Sequence, residues 1–443
     1  ARNTFVESIR QPFFFIVVLL SGILQVLNTW GANFSMGYSS SGEVSGDNKL
    51  LLDIGLAPIF GCGMILAGFI ATSVVSREIE NKTVLTVVSK PIGRTPLILG
   101  KYLGVVGAIL LAIVPMLIFL LLAIRHEVMS TAADDLDQPV LVFGILAVVL
   151  AMGIGAWCNF FYGWAFGQTV VSAVAPLSVV AYVLVLLINK EWHAQPPGTD
   201  FKPQVLLACA SMSLALLVLC AVAIAASTRL GQVMTMFVCA GVFFLGLLTN
   251  FMVGRHVFLN DPVGMIIRVE APRGSDEDFI DPGDTLQVTL DRVPDEPIPA
   301  GSTLYWGPNP NGLGLSVPGW FRFEGDIGDS TTIVNEAAPP TVVITEVEGE
   351  RLTIRLVGRA GTLIAGQPQL DDFAFITPTR RNWVAFTIWS VFPNMHHFWL
   401  VDAITQNQAV PISHIVRIVG YAAIQIVLFL SLAVVLFQKR DVG

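Results

Sequence analysis

About eight apolar runs, each long enough to cross a lipid bilayer, constrain what this 443-residue chain can fold into. A spanning helix needs about 20 consecutive apolar residues, because the hydrocarbon core is about 30 Å thick and each residue rises about 1.5 Å. The predicted spans are 12–30, 54–75, 102–124, 139–158, 166–189, 204–227, 231–253 and 413–437. Only 13% of the residues are charged, against about 25% in soluble domains. The sequence therefore predicts an α-helical polytopic membrane protein.

The fourth and fifth runs leave an alternative open. They are separated only by "NFFYGWAFG" (159–167), which is aromatic and barely polar. The pair is predicted as two full spans or as a re-entrant hairpin.

The placement of charge predicts the orientation. Lysine and arginine dominate one set of short segments, which are 1–11, 76–101, 228–230 and 438–443. The segments that alternate with them are acidic, above all the long region after Gly254. Short loops rich in Lys and Arg stay in the cytoplasm. We therefore expect both termini there, in a bacterial cytoplasmic (inner) membrane, and nothing in the net charge of −8 favours nucleic acid binding.

Residues 255–390 form one polar insert between the last two spans. Alternating runs such as "DTLQVTL", "TVVITEV" and "RLTIRLVG" are divided by turn-forming stretches such as "DPGD". This pattern predicts an antiparallel β-sandwich on the outer side of the membrane. The domains are therefore predicted as 1–253 (elbow helix and spans), 255–390 (β-rich), and 391–443 (interfacial lead-in helix, last span and tail).

Metal binding and ATP hydrolysis are not predicted for this chain. His396, His397 and Asp402 are close in sequence, but aromatic residues surround them and fewer than four ligands converge. The acidic "DEDFID" (276–281) lacks the spacing of a calcium loop and is read as a solvated loop. Without a "GxxxxGK[ST]" phosphate loop, the chain is expected to be neither an ATPase nor the holder of a cofactor.

Two polar segments on the basic side are candidate sites. In "ARNTFVESIRQPF", Phe5, Ile9 and Phe13 recur at helical spacing with charged residues among them, which predicts a short interfacial helix that bends at Pro12. The candidate elbow residues are Phe5, Ile9 and Arg10. Residues 76–101 mix charged and apolar positions, as in a short helix parallel to the membrane that Pro91 and Gly93 end. Such a segment is either an anchor or a docking surface for a cytoplasmic protein.

"REIENKTVLTVVSKPIGRTPLILGKYLG" (77–104) resembles the signature between the second and third helices of type-2 ATP-binding cassette (ABC) transporter permeases. The matching residues are Arg77, Glu78, Glu80, Thr83, Ser89, Lys90, Pro91, Arg94, Gly100 and Lys101. "ARNTFVESIR" resembles the elbow helix of that family, residues 221–248 its fourth and fifth helices, and 392–405 with 436–443 the surroundings of its last helix. The family core has six helices, so 139–189 is an extra pair.

The resemblance implies a coupling helix that fits into a groove on a separate ATPase subunit, which carries ATP and Mg. The residues assigned to coupling are Arg77, Glu78, Glu80, Lys82, Thr83, Ser89, Lys90, Pro91 and Arg94. Expected partners are cytoplasmic ABC ATPases, a second permease in a homodimer or heterodimer, and membrane lipid. The expected function is export or extraction of a substrate, possibly lipid-like or hydrophobic, because no span carries a relay of charged groups. The alternative is a non-transporting scaffold or mechanotransmission subunit whose outer β domain binds a protein.

Overall fold

The computed structural model describes residues 1–31, 40–80, 93–127, 136–271, 279, 283–308, 341–357, 367–400 and 410–438, with side chains except at 30, 31, 40–50, 75–80 and 94. The chain folds into two compact units. The first comprises Ala1–Leu247 and Pro393–Gly443, and the second Leu248–Phe392.

Ten α-helices occur in the described ranges. They are α1 (Arg2–Ile9), α2 (Pro12–Gly31), α3 (Ser40–Glu80), α4 (Arg94–His126), α5 (Gln138–Tyr162), α6 (Phe166–Leu187), α7 (Pro203–Ser227), α8 (Gln232–Met252), α9 (Trp383–Val391) and α10 (Ile412–Gln438). Eight of them, all except α1 and α9, are long and apolar enough to cross a membrane. The predicted polytopic α-helical fold is therefore confirmed.

The uncertain fourth and fifth runs are two long helices, α5 and α6. With 25 and 22 residues, each is long enough to span the bilayer. Asp137 caps the start of α5, because its carboxylate accepts the amide N–H of Val140 at 3.3 Å. At the other end Gly163 adopts φ +67°, a left-handed conformation that glycine tolerates, and the chain turns back into α6.

Small and amide side chains hold the helices of the first unit together. A Cβ on Gly55 of α3 would lie 2.3 Å from Leu120 Cδ1 of α4, so only glycine permits this approach. Next to it Gln25 donates to the carbonyl of Gly55 at 2.7 Å, and Asn28 donates to the carbonyl of Leu51 at 2.9 Å. These contacts fix α2 against α3 where hydrocarbon offers no other hydrogen-bond partner.

The second unit contains an antiparallel β domain, as predicted, but its described strands form one six-stranded sheet and one two-stranded pair, and not the two packed sheets of a sandwich. Its strands are β1 (Phe258–Leu259), β2 (Pro262–Glu270), β3 (Thr285–Leu290), β4 (Tyr305–Gly307), β5 (Thr341–Glu348), β6 (Arg351–Val357), β7 (Phe373–Phe375) and β8 (Arg380–Arg381). Six of them form one sheet in the order β4-β7-β2-β3-β6-β5, and β1 pairs with β8.

This sheet closes on itself. Residues that precede β4 bond to β5 at the opposite end of the strand order: Leu304 N–H donates to Val342 O at 3.0 Å, and Ile344 N–H donates to Ser302 O at 2.9 Å. The enclosed core includes Val288, Ile344 and Ile354, which are fully buried. These bonds pair strand edges that would otherwise be open to edge-to-edge aggregation.

Candidate functional site

The coupling residues predicted from the sequence lie around the junction of α3 and α4. The helix α3 continues as one element through Glu80, so Arg77, Glu78 and Glu80 belong to its last turns and not to a separate short helix. Arg94 is the first residue of α4. The side chains of these four residues lie outside the described part, as do the whole residues Lys82, Thr83, Ser89, Lys90 and Pro91.

A buried lysine joins the two helices that flank this segment. Lys101 of α4 is only 5% exposed, and its Nζ donates to the backbone carbonyl of Val74 in α3 at 2.8 Å. A buried ammonium is costly unless it is hydrogen-bonded. Because this bond ends on a main-chain oxygen, it ties α4 to the axis of α3.

A second bond connects α3 to the turn between α1 and α2. Gln11 donates through Nε2 to Ser73 Oγ at 2.6 Å, and Ser73 in turn donates to the carbonyl of Ile70 at 2.9 Å. Ser73 is 2% exposed, so water does not compete for these groups. The helix α3 is thus held from two sides at adjacent residues, Ser73 and Val74, about two turns before its last residue, Glu80.

The predicted elbow residues lie on α1, which packs against α4. Ile9 is 4% exposed and Phe5 is half-buried, so this face of α1 contacts protein. A Cβ on Gly104 would lie 2.5 Å from Thr4 Cβ, and one on Gly107 would lie 3.2 Å from the ring of Phe5. Two glycines one helical turn apart therefore form a groove that seats the elbow helix.

Arg10, the third elbow residue, is exposed and reaches the start of α6. Its Nε donates to Gln168 Oε1 at 3.1 Å. We name the cluster of Thr4, Gln11, Ser73, Lys101 and Gly104 the coupling junction. Of these five residues only Lys101 stood out in the sequence, as part of the permease signature, although the spacing Gly100-x-x-x-Gly104 is also a recognisable signal of close helix packing.

An apolar cleft of about 500 Å³ lies between α2, α4, α5 and α6. Its size is within the range of about 300–1,000 Å³ that is usual for small-molecule sites. Leu19 and Ile23 of α2 line it on one side, and Ile145 and Val149 of α5 on the other. These four side chains are between 41% and 61% exposed, so the cleft opens sideways from the helix bundle. All four belong to candidate spans, which makes the opening accessible from within the bilayer.

The cleft has polar groups only near one end. Gln25, Thr29 and His126 line it there, close to the ends of α2 and α4 that lie away from the coupling junction. Directly beyond, Arg125 forms ion pairs with Asp137 and, at 2.9 Å through Nε, with Asp200. A mostly apolar cleft with a polar end suits an amphiphilic or wholly apolar molecule.

Filling the cleft provides a test of its ability to bind such a molecule. Gly144 lines it, and a Cβ there would be at an ordinary 3.7 Å from Leu122 Cδ1. We expect Gly144→Leu to weaken binding of a pyrene-labelled fatty acid by at least about tenfold, measured by fluorescence titration of the purified protein. Gly153→Leu is the control, since nothing lies within 4 Å of a Cβ there. An equal effect of both substitutions would count against the cleft.

The histidine pair lies in the first unit. His396 approaches the carbonyl of Leu247 through Nε2 at 2.7 Å, and the ring of His397 packs edge-on against Tyr421. Burial, together with His414 and His396 nearby, lowers the pKa of His397 from its ordinary 6.5. Asp402 lies outside the described residues, and among the described ones no three His, Cys, Asp or Glu are grouped to hold a metal.

The structure also describes part of the segment that leads into the last span. It contains a 3-10 helix, Met395–Phe398, and the side chains of Met395 and Phe398 are buried in the helical core. Of the acidic stretch 276–281, only Phe279 is described, and it is buried in the β domain.

Comparison with known proteins gives one match. Residues 1–161 match the family described as ABC-2 family transporter protein. The matched range contains α1 to α4 and nearly all of α5, and with them the coupling junction. No curated protein and no solved structure matches the chain.

Proposed function

We propose that this chain, whose residues 1–161 match the ABC-2 family transporter protein, is a multi-pass permease subunit driven by a separate cytoplasmic ATPase that docks at the end of α3. The chain has no phosphate-binding loop, so ATP and Mg belong to that partner. Glu78 and Glu80 are the residues that meet basic groups on the ATPase, where rim charges determine specificity more than affinity.

The coupling junction is the observation that supports this role. A docked protein that moves the segment between α3 and α4 moves both helices together, because Lys101 bonds to the main chain of α3. The elbow helix follows, since α1 is seated on Gly104 and its C-terminal turn is bonded to Ser73. A push at the cytoplasmic end is thereby carried into α2, α3 and α4, three of the spans.

The substrate class we propose is hydrophobic or lipid-like. Two of the three spans that the junction moves, α2 and α4, form walls of the apolar cleft. A change in their position relative to α5 and α6 alters the width of the cleft, which opens within the membrane. This supports export or extraction of a bilayer-soluble molecule in preference to a purely mechanical scaffold, for which a lateral cleft has no use.

The remaining assignments complete the proposal. The basic segments support a cytoplasmic position for the coupling junction and both termini. The membrane we propose is the inner membrane of a bacterial cell. The β domain is then periplasmic, where it is available to a protein partner. Two permease chains, identical or different, work with two ATPase subunits.

Charge reversal at the end of α3 tests the ATPase partner. We expect the double substitution Glu78→Lys/Glu80→Lys to reduce the amount of ATPase that co-purifies in mild detergent by about tenfold or more, because like charges then face each other. The control is Glu191→Lys, an exposed acidic residue at the opposite end of the bundle. Membrane insertion and yield should be the same for both proteins. Unchanged co-purification with the double variant would refute docking at this place.

A further inference from the structure

The helix α9 has an unusual surface for a segment of a folded domain. Its sequence, "WVAFTIWSV", contains no charged residue, and none of its nine residues is buried. Val384, Ile388 and Val391 recur at i, i+4 and i+7, so they share one face, and they are 72%, 49% and 45% exposed. Trp383, at 67%, extends this apolar surface to the start of the helix. Exposed apolar area of this kind marks a contact surface.

The other face of α9 is bonded to the end of a candidate span. Trp389 donates from its indole Nε1 to Asn250 Oδ1 at 3.1 Å, and Asn382 N–H donates to the carbonyl of Val257. Asn250 lies in the last turn of α8, two residues before Met252. The ends of membrane-spanning helices are where the interfacial region begins, so α9 is bonded at a position that suits an interfacial helix.

Two arginines stand beside this helix in positions suited to an anion. Arg255 lies over the ring of Phe251 at 4.9 Å, and Arg381 lies between the rings of Phe258 and Phe386, at 5.7 and 5.8 Å. Both are exposed, and neither forms an ion pair within the described residues. Arg255 donates its Nε–H to His256 Nε2 at 3.1 Å. Stacking holds a guanidinium by its face and leaves the two terminal amino groups at its edge for a bidentate acceptor such as phosphate.

We propose that α9, Arg255 and Arg381 form a phospholipid-binding platform. The apolar face of α9 is embedded among the acyl chains of one leaflet, and the two arginines bind headgroup phosphates. The aromatic residues around them, Trp383, Phe386 and Trp389, have the chemistry of a membrane–water interface. The platform lies entirely within the second unit and attaches it to the bilayer next to the end of α8. It does not depend on the proposed ATPase or transported substrate.

The position of the helix is tested with a spin label on the full-length protein in phosphatidylcholine nanodiscs. We expect a nitroxide on Val384→Cys to collide more often with oxygen than with a water-soluble nickel chelate. Val293→Cys is the matched control, because Val293 is 56% exposed on the same unit and lies outside the platform. We expect the opposite preference there. If the label at Val384 is as accessible to the chelate as the label at Val293, the platform does not exist.

The arginines are tested by titrating the detergent-solubilised protein with phosphatidylglycerol in native mass spectrometry. An arginine near a membrane surface contributes about 1 kcal/mol, so we expect about a fivefold weaker affinity for each of Arg255→Gln and Arg381→Gln. Arg380→Gln is the control, since Arg380 already pairs with Asp261 at 2.6 Å. Equal effects of the three substitutions would show that charge alone, and not the stacked arginines, binds the lipid.

Discussion

Replacing Asp137 by alanine should lower the free energy of unfolding by about 3 kcal/mol, the lower end of the effect of removing one partner from a buried ion pair, because Arg125 keeps its second partner, Asp200. The side chain of Asp137 is fully buried, and that of Arg125 is 10% exposed. The substitution also removes the N-cap of α5, because Asp137 accepts the amide of Val140. Thermal unfolding in detergent measures the change, which we expect to appear as a lower midpoint.

The matched control for this substitution is Lys190→Ala. Lys190 pairs with Glu127 at 3.2 Å at the same end of the bundle, but the two side chains are 39% and 56% exposed. Exposed pairs contribute about 1 kcal/mol or less. A second variant, Asp137→Asn, retains an oxygen for the cap and separates the two contributions. If Asp137→Ala unfolds no earlier than Lys190→Ala, the ion pair does not stabilise the ends of α4 and α5.

Replacing Gly104 by alanine should displace the elbow helix and weaken the proposed transmission of motion from the ATPase through the coupling junction. The added Cβ would lie 2.5 Å from Thr4 Cβ and 2.6 Å from the carbonyl oxygen of Ala1, far inside van der Waals contact. Overpacking of this kind costs about 1–3 kcal/mol, more than the about 0.5–1 kcal/mol that alanine gains over glycine in a helix. We expect the variant permease to change the rate of ATP hydrolysis by the reconstituted ATPase much less than the unmodified permease does.

The control in this case is Gly153→Ala in the interior of α5, where nothing lies within 4 Å of the new Cβ. Gly153→Ala gives the same gain in helix propensity without the clash. The free energy of unfolding should therefore rise slightly, and ATP hydrolysis should still depend on the permease. Limited proteolysis of the α1 segment reports displacement independently of the ATPase. Equal proteolysis and equal ATPase activity in the two variants would contradict a role for the groove at Gly104.

The sequence predicted the spans because hydrocarbon imposes a length and a composition on any helix that crosses it. Each of the eight predicted runs overlaps a candidate span in the structure, including the uncertain pair α5 and α6. The β domain could also be predicted from the sequence, since alternation of apolar and polar residues indicates strands with one buried face. Neither prediction required any knowledge of which helices are neighbours.

The candidate site was only partly predictable. Arg77, Glu78 and Glu80 were found through a motif, and the structure places their backbone on α3, while their interaction with an ATPase remains a prediction. Lys101 belongs to the same motif, yet its bond to Val74 joins residues that are 27 apart in sequence. The helix α9 was missed because nine uncharged residues are too few for a span, and the run lay inside a region read as β-rich.

The sequence by itself determined which segments enter the membrane, the periodicity of the β domain and the presence of a charged segment between two spans. These properties depend on local composition, which each segment carries within itself. Only the tertiary structure decided that α1 is seated on Gly104, that Lys101 is bonded to the main chain of α3, and that four helices leave an apolar cleft between them. Such features depend on the distance between segments far apart in the chain, and that distance is set by side-chain packing.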